Sequence, residues 1–522
     1  MSGYRSLHRQ KLVSSFNDNH QQQEEEAVAA AASAEKRVAV WCVQLTPLLY
    51  SSDKQKQQQQ QEEASSSSSS SFSSSYRLWT ATSDGLVRSF RVQESSATNV
   101  TAAATSLDAS ALRLTCTHVL YGPSQQQQQQ QQPPNRTQEV SSSSSLSSSS
   151  NNATTLGCTR LSIVRYRDSW IILSLDLSGA IRLWRFVNGF DDNDDHDENP
   201  SHRAPRTIQS LVEFTVPHAT GTTAALCPPP DAAGTATTDH ETIMVAVGCL
   251  DGSIALVSTG LSYLGSSTTS GGESTTTTST SNPHRPGDIV ERLGASSTGG
   301  AGRRPGSTVP LCLCWSPVEH ATGKGRLLVV GRQDGVMDVL LVQCRNCHRY
   351  SQPNSSSSSC LVNLQRLSRH HHSPVRALAF TQDGNLLLVG SDEGLLTVWD
   401  TSRAAPVAAE SNAAPASTHT TLAVLVHHVL QAHASWILQA TSCMDGHRFI
   451  TAGADKTLSV WDVRLGLHQP AHTFQTDAMV WTLHAVTSST TAKTTNHNNN
   501  RMPPRMVTGS DTGWVQFFSI ER

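Results

Sequence analysis

At 344–348 the stretch CRNCH sets two thiols and an imidazole close together. Cys344, Cys347 and His348 match the C-x-x-C-H pattern of haem attachment and could supply three of the four ligands a zinc ion needs. Haem attachment requires an export signal, and the N-terminal stretch MSGYRSLHRQKLVSSF lacks the apolar core of one. A fourth zinc ligand would have to come from Cys360 or from His370, His371 and His372, none at a defined spacing. The stretch reads as a loop, and no metal or cofactor is assigned. The acidic run DDNDDHDEN (191–199) lacks the glycine that a calcium-binding loop places at its sixth position. HATGKGR (320–326) is short of a phosphate-binding loop, and G-x-S-x-G and H-E-x-x-H are absent. What remains is GADKTLSVWD (453–462), where Asp455 stands six residues before Trp461 at the end of a strand-like run.

That spacing recurs. A turn residue followed five positions later by a large apolar residue occurs at Gly85/Phe90, Gly179/Trp184, Gly252/Val257, Gly335/Leu340, Gly394/Trp399, Lys456/Trp461 and Gly513/Phe518. An acidic residue directly precedes the turn in five of them (Asp84, Asp251, Asp334, Glu393 and Asp455), while Ser178 and Thr512 stand in the other two. Apolar runs such as LLLVGSDEG (386–394) lead into these turns. Each unit therefore reads strand, tight turn, strand, with glycine supplying positive φ without a Cβ clash. Seven such hairpins make a repeat architecture.

The chain is 522 residues long, but much of it is low in complexity: glutamine runs at 57–61 and 125–132, serine-rich runs at 65–71 and 141–150, and a Ser/Thr/Gly tract over roughly 265–308. Such segments cannot offset their ordering entropy by apolar burial. What is left suits about seven units of 40–45 residues. The expected fold is all-β, one seven-bladed propeller whose blades cover roughly 38–121, 156–216, 222–294, 308–369, 373–430, 433–476 and 478–520. Disordered inserts are expected over about 51–75, 95–110, 122–155, 190–203, 265–308, 349–359, 403–420 and 487–504. After GWVQFFSIER no fourth strand follows, so residues 4–16 are expected to supply it and close the ring. The formal charge is −3 and no Lys/Arg stripe stands out, so a nucleic-acid footprint is missing. No run of 18 apolar residues exists for a membrane span. The eleven scattered cysteines fit buried thiols in a reducing compartment.

In the sixth unit His433 precedes the inner strand WILQAT, Thr451 lies on the second strand, Asp455 on the turn and Trp461 on the third. The set resembles the structural tetrad of WD repeats, in which Asp accepts from His, His bonds the hydroxyl and the hydroxyl meets the Trp N–H. The fifth unit offers His371, Glu393 and Trp399, with Val389 in place of the hydroxyl. The resemblance gives these residues a stabilising role and no catalytic one. SPVRALAFTQDGNLLLVGSDEGLLTVWD (373–400) and LQAHASWILQATSCMDGHRFITAGADKTLSVWDV (430–463) look like successive WD repeats. HASWIL (433–438) resembles the penultimate blade of the WD-repeat subunit of the superkiller complex, and LDLSGAIRLW (175–184) its second. That family implies a non-catalytic, cytoplasmic and nuclear scaffold, a monomeric subunit assembled with a helicase and a tetratricopeptide-repeat protein in exosome-linked 3′–5′ mRNA decay. In some eukaryotes the same subunit joins the RNA polymerase II-associated factor complex. Direct nucleic-acid or membrane binding is not implied.

By the register of a WD propeller, the residue five after the tetrad histidine position sits at the ring's mouth: Trp41, Ser162, Ala224, Leu311, Arg376, Leu438 and Trp481, with Trp436 on the loop above. Trp41, Leu311, Arg376, Trp436, Leu438 and Trp481 are therefore the expected partner-binding residues, suited to a short peptide with a large apolar anchor. Arg376 would orient a carboxylate or stack on the anchor. The same residue types would pack between blades if they bind nothing. Two competing functions share the fold: a substrate receptor of a ubiquitin ligase, and a propeller enzyme with carboxylates or histidines lining its channel.

Overall fold

The second strands of the units do not alternate between a buried and an exposed face. YRLWTAT (Tyr76–Thr82), SWIILSLD (Ser169–Asp176) and RLLVVGR (Arg326–Arg332) are buried at every position. A strand covered on both faces has no solvent side, so neighbouring sheets must flank it. The computed structural model describes residues 4–11, 38–47, 76–94, 112–120, 157–166, 169–187, 208–228, 242–262, 287–293, 309–320, 325–342, 361–367, 370–402, 405–406, 420–429, 431–443, 446–485 and 505–520.

These residues form seven four-stranded antiparallel sheets, the blades of one propeller. Strand β1 is Tyr4–Lys11. The first blade is β2 (Val40–Pro47), β3 (Tyr76–Thr82), β4 (Val87–Glu94) and β5 (Leu112–Leu120). The second is β6 (Cys158–Tyr166), β7 (Ser169–Asp176), β8 (Ala180–Val187) and β9 (Ile208–Thr215). The third is β10 (Gly221–Leu226), β11 (Thr242–Cys249), β12 (Ile254–Ser262) and β13 (Ile289–Leu293). The fourth is β14 (Pro310–Trp315), β15 (Arg326–Arg332), β16 (Met337–Val342) and β17 (Leu361–Leu367). The fifth is β18 (Val375–Phe380), β19 (Leu386–Ser391), β20 (Leu396–Asp400) and, after the short pair β21 (Ala405–Pro406) and β22 (Thr420–Thr421), β23 (Val424–Val429). The sixth is β24 (Ile437–Ser442), β25 (Arg448–Gly453), β26 (Thr457–Asp462) and β27 (His472–Gln475). The seventh is β28 (Val480–Ala485), β29 (Arg505–Ser510) and β30 (Trp514–Ile520), completed by β1.

The N-terminal strand closes the ring. It runs antiparallel to β30, from Tyr4 opposite Ile520 to Lys11 opposite Trp514. Pairing there covers a strand edge that would otherwise offer unpaired N–H and C=O groups to another chain. The closing pair stops at Lys11; residues 12–16 of the expected segment lie outside the described residues. Two stretches expected to be inserts hold strands: β13 lies within the Ser/Thr/Gly tract 265–308, and β21 lies within 403–420, where β22 begins at its last residue. The other expected inserts lie wholly or almost wholly outside the described residues.

The core is a set of seams. Each of the seven apolar clusters joins two neighbouring blades, as where Trp79 and Val87 of the first meet Ile172 and Trp184 of the second. The seventh blade meets the first through Val507, Val515 and Phe517 against Val40, Val43 and Leu78.

Two features fix the register at one end of the ring. Each inner strand skips one residue of its ladder just after its first paired residue, and the skipped residues are Trp41, Thr159, Thr222, Leu311, Arg376, Leu438 and Trp481. The N–H of the residue after each second strand donates to the carbonyl two residues before that skipped position. The seven bonds are Ser83 to Ala39, Leu177 to Gly157, Leu250 to Thr220, Gln333 to Val309, Asp392 to Pro374, Ala454 to Trp436 and Asp511 to Met479, at 2.8–3.3 Å. A bulge frees a side chain from the alternation of its strand. Here seven equivalent ones surround the mouth.

Candidate functional site: the mouth of the propeller

The mouth is asymmetric. Running round the ring, the fifth, sixth, seventh and first blades carry Arg376, Leu438, Trp481 and Trp41, while the second, third and fourth carry Thr159, Thr222 and Leu311. Sequence spacing put Ser162 and Ala224 at two of these positions. The bulge places Thr159 and Thr222 there instead. Ser162 lies deeper, accepting a hydrogen bond from Leu226 N–H (3.1 Å) at the seam, and Ala224 is buried in the core. Only the fifth and sixth units have a tetrad histidine to count from, and spacing alone overshot the bulge by three residues in the second blade and two in the third.

The side chains at these positions differ in what they leave free. Leu438 is only 6 % exposed and offers no contact surface, in contrast to the expectation. Trp436 is 45 % exposed. Its ring lies 5.4 Å from the Arg376 guanidinium carbon, a cation–π stack across two blades. Arg376 Nε also donates to Asp392 (2.6 Å), whose own N–H is fixed on Pro374. The guanidinium is therefore held in one orientation under an exposed indole. Trp41, half-buried, lies over the entry to the second blade: a Cβ built on Gly157 would come within 2.3 Å of its ring. Trp481 and Leu311 are also half-buried.

Below the rim, side chains of one inner strand bond the backbone of the next. Val43 and Leu45 N–H donate to Thr482 (3.1 Å) and His484 (3.3 Å), Gln44 donates to the Ile163 carbonyl (3.2 Å), and Thr222 to that of Pro310 (2.7 Å). The cysteines here are inert. Burial pushes the Cys312 and Cys158 thiols up to about 12 and Cys314 to about 11. A thiol that stays protonated is neither nucleophile nor metal ligand. Among the described residues, no group of three or more His, Cys, Asp or Glu is placed to hold a metal ion; Cys344, Cys347 and His348 lie outside them.

The sixth blade contains the full tetrad. Trp461 Nε1 donates to Thr451 Oγ1 (2.9 Å), the hydroxyl meets His433 Nε2 (2.7 Å), and His433 Nδ1 faces Asp455 (3.1 Å). Since the hydroxyl accepts from the indole, its own proton goes to Nε2, and Nδ1–H donates to the carboxylate. Burial works to raise the Asp455 carboxyl, but hydrogen bonds from His433 and Thr457 outweigh it and hold the group down at about 2. In the fifth blade the hydroxyl comes from Thr397 on the third strand, not from position 389. Thr397 Oγ1 receives Trp399 Nε1 (2.9 Å) and meets His371 Nε2 (3.0 Å). Glu393 is exposed and does not join, and His371 Nδ1 has no hydrogen-bond partner among the described residues.

Other blades use charge at the same place. In the second, Asp176 pairs with Arg182 (2.9 Å), which pairs with Glu213 (3.2 Å). In the fourth, Arg332 pairs with Asp338 (2.7 Å), which pairs with Arg366 (2.7 Å). The two triads occupy the same positions with every sign reversed: one residue before the fixed backbone N–H, five after it, and opposite on the outer strand. Asp176, rather than Ser178, therefore does the work of the acidic turn in the second unit. None of this was visible in the turn alignment, because the partners on the outer strands arrive after long inserts.

Residues 361–400 and 425–462 match the model of the WD domain, G-beta repeat family. The chain is a seven-bladed propeller with WD40 repeats at these residues. The WD40 match falls on the fourth blade's outer strand and most of the fifth and sixth blades, where the tetrad residues are. The WD40 propeller is also similar to Striatin-3 of Mus musculus, 23 % identical over 216 residues; the match covers 40 % of this chain and 26 % of that protein, about a quarter of its length. Among solved structures it is similar to the WD40 β-propeller domain of Doa1, at 11 % identity and a TM-score of 0.45, over 100 % of this chain and 99 % of that one.

Proposed function

We propose that this WD40 propeller is a non-catalytic scaffold that holds partner proteins at its mouth through a short segment with a large apolar anchor. The observation that carries this reading is Trp436, exposed on the rim and stacked on an Arg376 that Asp392 holds in place. A preorganised aromatic surface loses little entropy when it is covered, and aromatic and arginine contacts dominate interface energies. Trp481 and Trp41 continue the surface over the next two blades. The mouth residues include no set of carboxylates and histidines arranged for acid–base work, which supports binding over catalysis.

The complex we assign is of superkiller type, with a tetratricopeptide-repeat subunit and a helicase, acting in exosome-linked mRNA decay in the cytoplasm, with a second role in the nuclear RNA polymerase II-associated factor complex. The support is the HASWIL segment, whose Trp436 is the exposed rim residue, together with LDLSGAIRLW. Affinity purification of the full chain with quantitative mass spectrometry tests both levels. Recovery of helicase and tetratricopeptide-repeat subunits, lost in a folded Trp436→Ala/Trp481→Ala variant, is the expected result. Recovery of cullin-type ligase subunits instead would replace the complex assignment, and recovery unaffected by the double variant would remove the mouth from the account.

A further inference from the structure

The mouth also holds a cation with no carboxylate partner among the described residues. Arg160 follows the bulge residue of the second blade. Its Nη2 reaches past the third blade to the Leu311 carbonyl on the fourth, at 2.8 Å. That is the only hydrogen bond of its side chain among the described residues, and no carboxylate pairs with it there. The other arginines of the turns and rim are compensated: Arg376 by Asp392, Arg332 and Arg366 by Asp338, Arg182 by Asp176. Arg160 is half-buried, so solvent screens it only in part. A guanidinium in that position without a counter-ion is costly unless something else supplies the charge.

The surroundings show where the anion would sit. Arg160 of the second blade reaches the Leu311 carbonyl, Arg376 stands on the inner strand of the neighbouring fifth blade, and the charges of both favour the thiolate of Cys312, the residue after Leu311. Asp392 satisfies one of them. Leu311 lies between them with a half-buried apolar side chain, and the exposed Trp436 stands beyond Arg376. A single negative group with an apolar neighbour matches this arrangement in charge and in polarity.

Resting on the peptide-binding reading above, we propose that Arg160 is the receptor for an aspartate or glutamate side chain in the bound segment, set beside the apolar anchor that Trp436 covers. The five fixed donors of a guanidinium suit a carboxylate, and such a charge selects among partners more than it adds raw affinity.

The test uses the full chain and a displayed library of random nine-residue peptides, selected in parallel on wild type, Arg160→Gln, Arg160→Glu and Trp436→Ala. Wild type should enrich peptides with Asp or Glu at a constant distance from Trp, Phe, Leu or Met. Replacing that acidic residue by its amide should weaken binding to wild type by about tenfold and change binding to Arg160→Gln by less than about twofold, as expected for one partly buried charge pair. Arg160→Glu should keep the apolar anchor and exchange the acidic preference for Lys or Arg. If Arg160→Glu does not fold, the amide substitution in the peptide with Arg160→Gln still decides the matter. Apolar enrichment without any acidic preference overturns the role of Arg160 and leaves the peptide-binding reading standing. Equal selection on wild type and on folded Trp436→Ala overturns both.

Discussion

Removing one hydroxyl should reveal what the fifth blade relies on. Thr397→Val keeps the shape of the side chain and deletes Oγ1, which receives Trp399 Nε1 at 2.9 Å and meets His371 Nε2 at 3.0 Å. All three residues are buried, so water cannot replace the lost bonds. A buried polar group left unsatisfied costs about 1–3 kcal/mol, and two are created here, against roughly 1 kcal/mol gained by burying a methyl in place of a hydroxyl. The net loss should be about 1–5 kcal/mol. His371 would suffer most, because its Nδ1 already lacks a hydrogen-bond partner among the described residues. Equilibrium urea denaturation followed by tryptophan fluorescence measures the change, with Thr397→Ser as the control that keeps the hydroxyl and loses only a methyl, at about 1 kcal/mol. A Thr397→Val protein within 0.5 kcal/mol of wild type would mean that the indole and imidazole find other partners, and the hydroxyl's role would fall.

Three further outcomes follow from the same geometry. Asp338→Asn leaves Arg332 and Arg366 sharing a neutral group, and with Arg332 buried the loss should be about 3–5 kcal/mol in urea denaturation; a surface-like loss below 1 kcal/mol would show that the triad is solvated. Stability should fall as pH drops from about 6.5 to 4. Burial and the neighbouring His428, His370 and His372 hold His371 down at about 4, so the unfolded chain binds more protons than the folded one in that window. The His371 contribution is full above pH 6.5 and shrinks by up to about 3 kcal/mol on the way to pH 4, a change that thermal melts across the range would show and that His371→Gln should reduce by that share. Burial lowers His484 to about 4 as well, so the seam between the seventh and first blades weakens in the same direction. Gly157→Val should displace the Trp41 ring, which lies within 2.3 Å of the new Cβ, and shift tryptophan emission; unchanged spectra would place Trp41 elsewhere.

How much of this the amino-acid order reveals depends on how local each signal is. The turns between the second and third strands are local: a residue with positive φ, six glycines and Lys456, and an apolar residue five positions on mark every blade. Ring closure could be inferred because the last blade lacks a strand and the N-terminus holds a spare one. The sixth-blade tetrad was legible because all four residues keep their usual types. The fifth-blade hydroxyl was not, since Thr397 moves it from the second strand to the third while the hydrogen-bond chain to Trp399 survives. Register at the mouth depends on a bulge in each inner strand, and a bulge has no residue signature of its own, so the second and third blades came out three and two residues late. The charge-reversed triads join positions that meet only after the outer strand returns, so no window of sequence contains them. Arg160 looks like any strand arginine until Leu311 is seen within its reach.

The central claim is that partners are gripped at the mouth rather than on the outer strands, where Val424 and Val426 are exposed. Hydrogen–deuterium exchange of the full chain, with and without its co-purified partner, compares the two surfaces directly. Protection at the mouth, over residues 374–378 and 433–438 around Arg376 and Trp436 and at the inner-strand starts that carry Arg160 and Trp481, with 424–429 unchanged, is the predicted result. Protection at 424–429 with the mouth unchanged would contradict it.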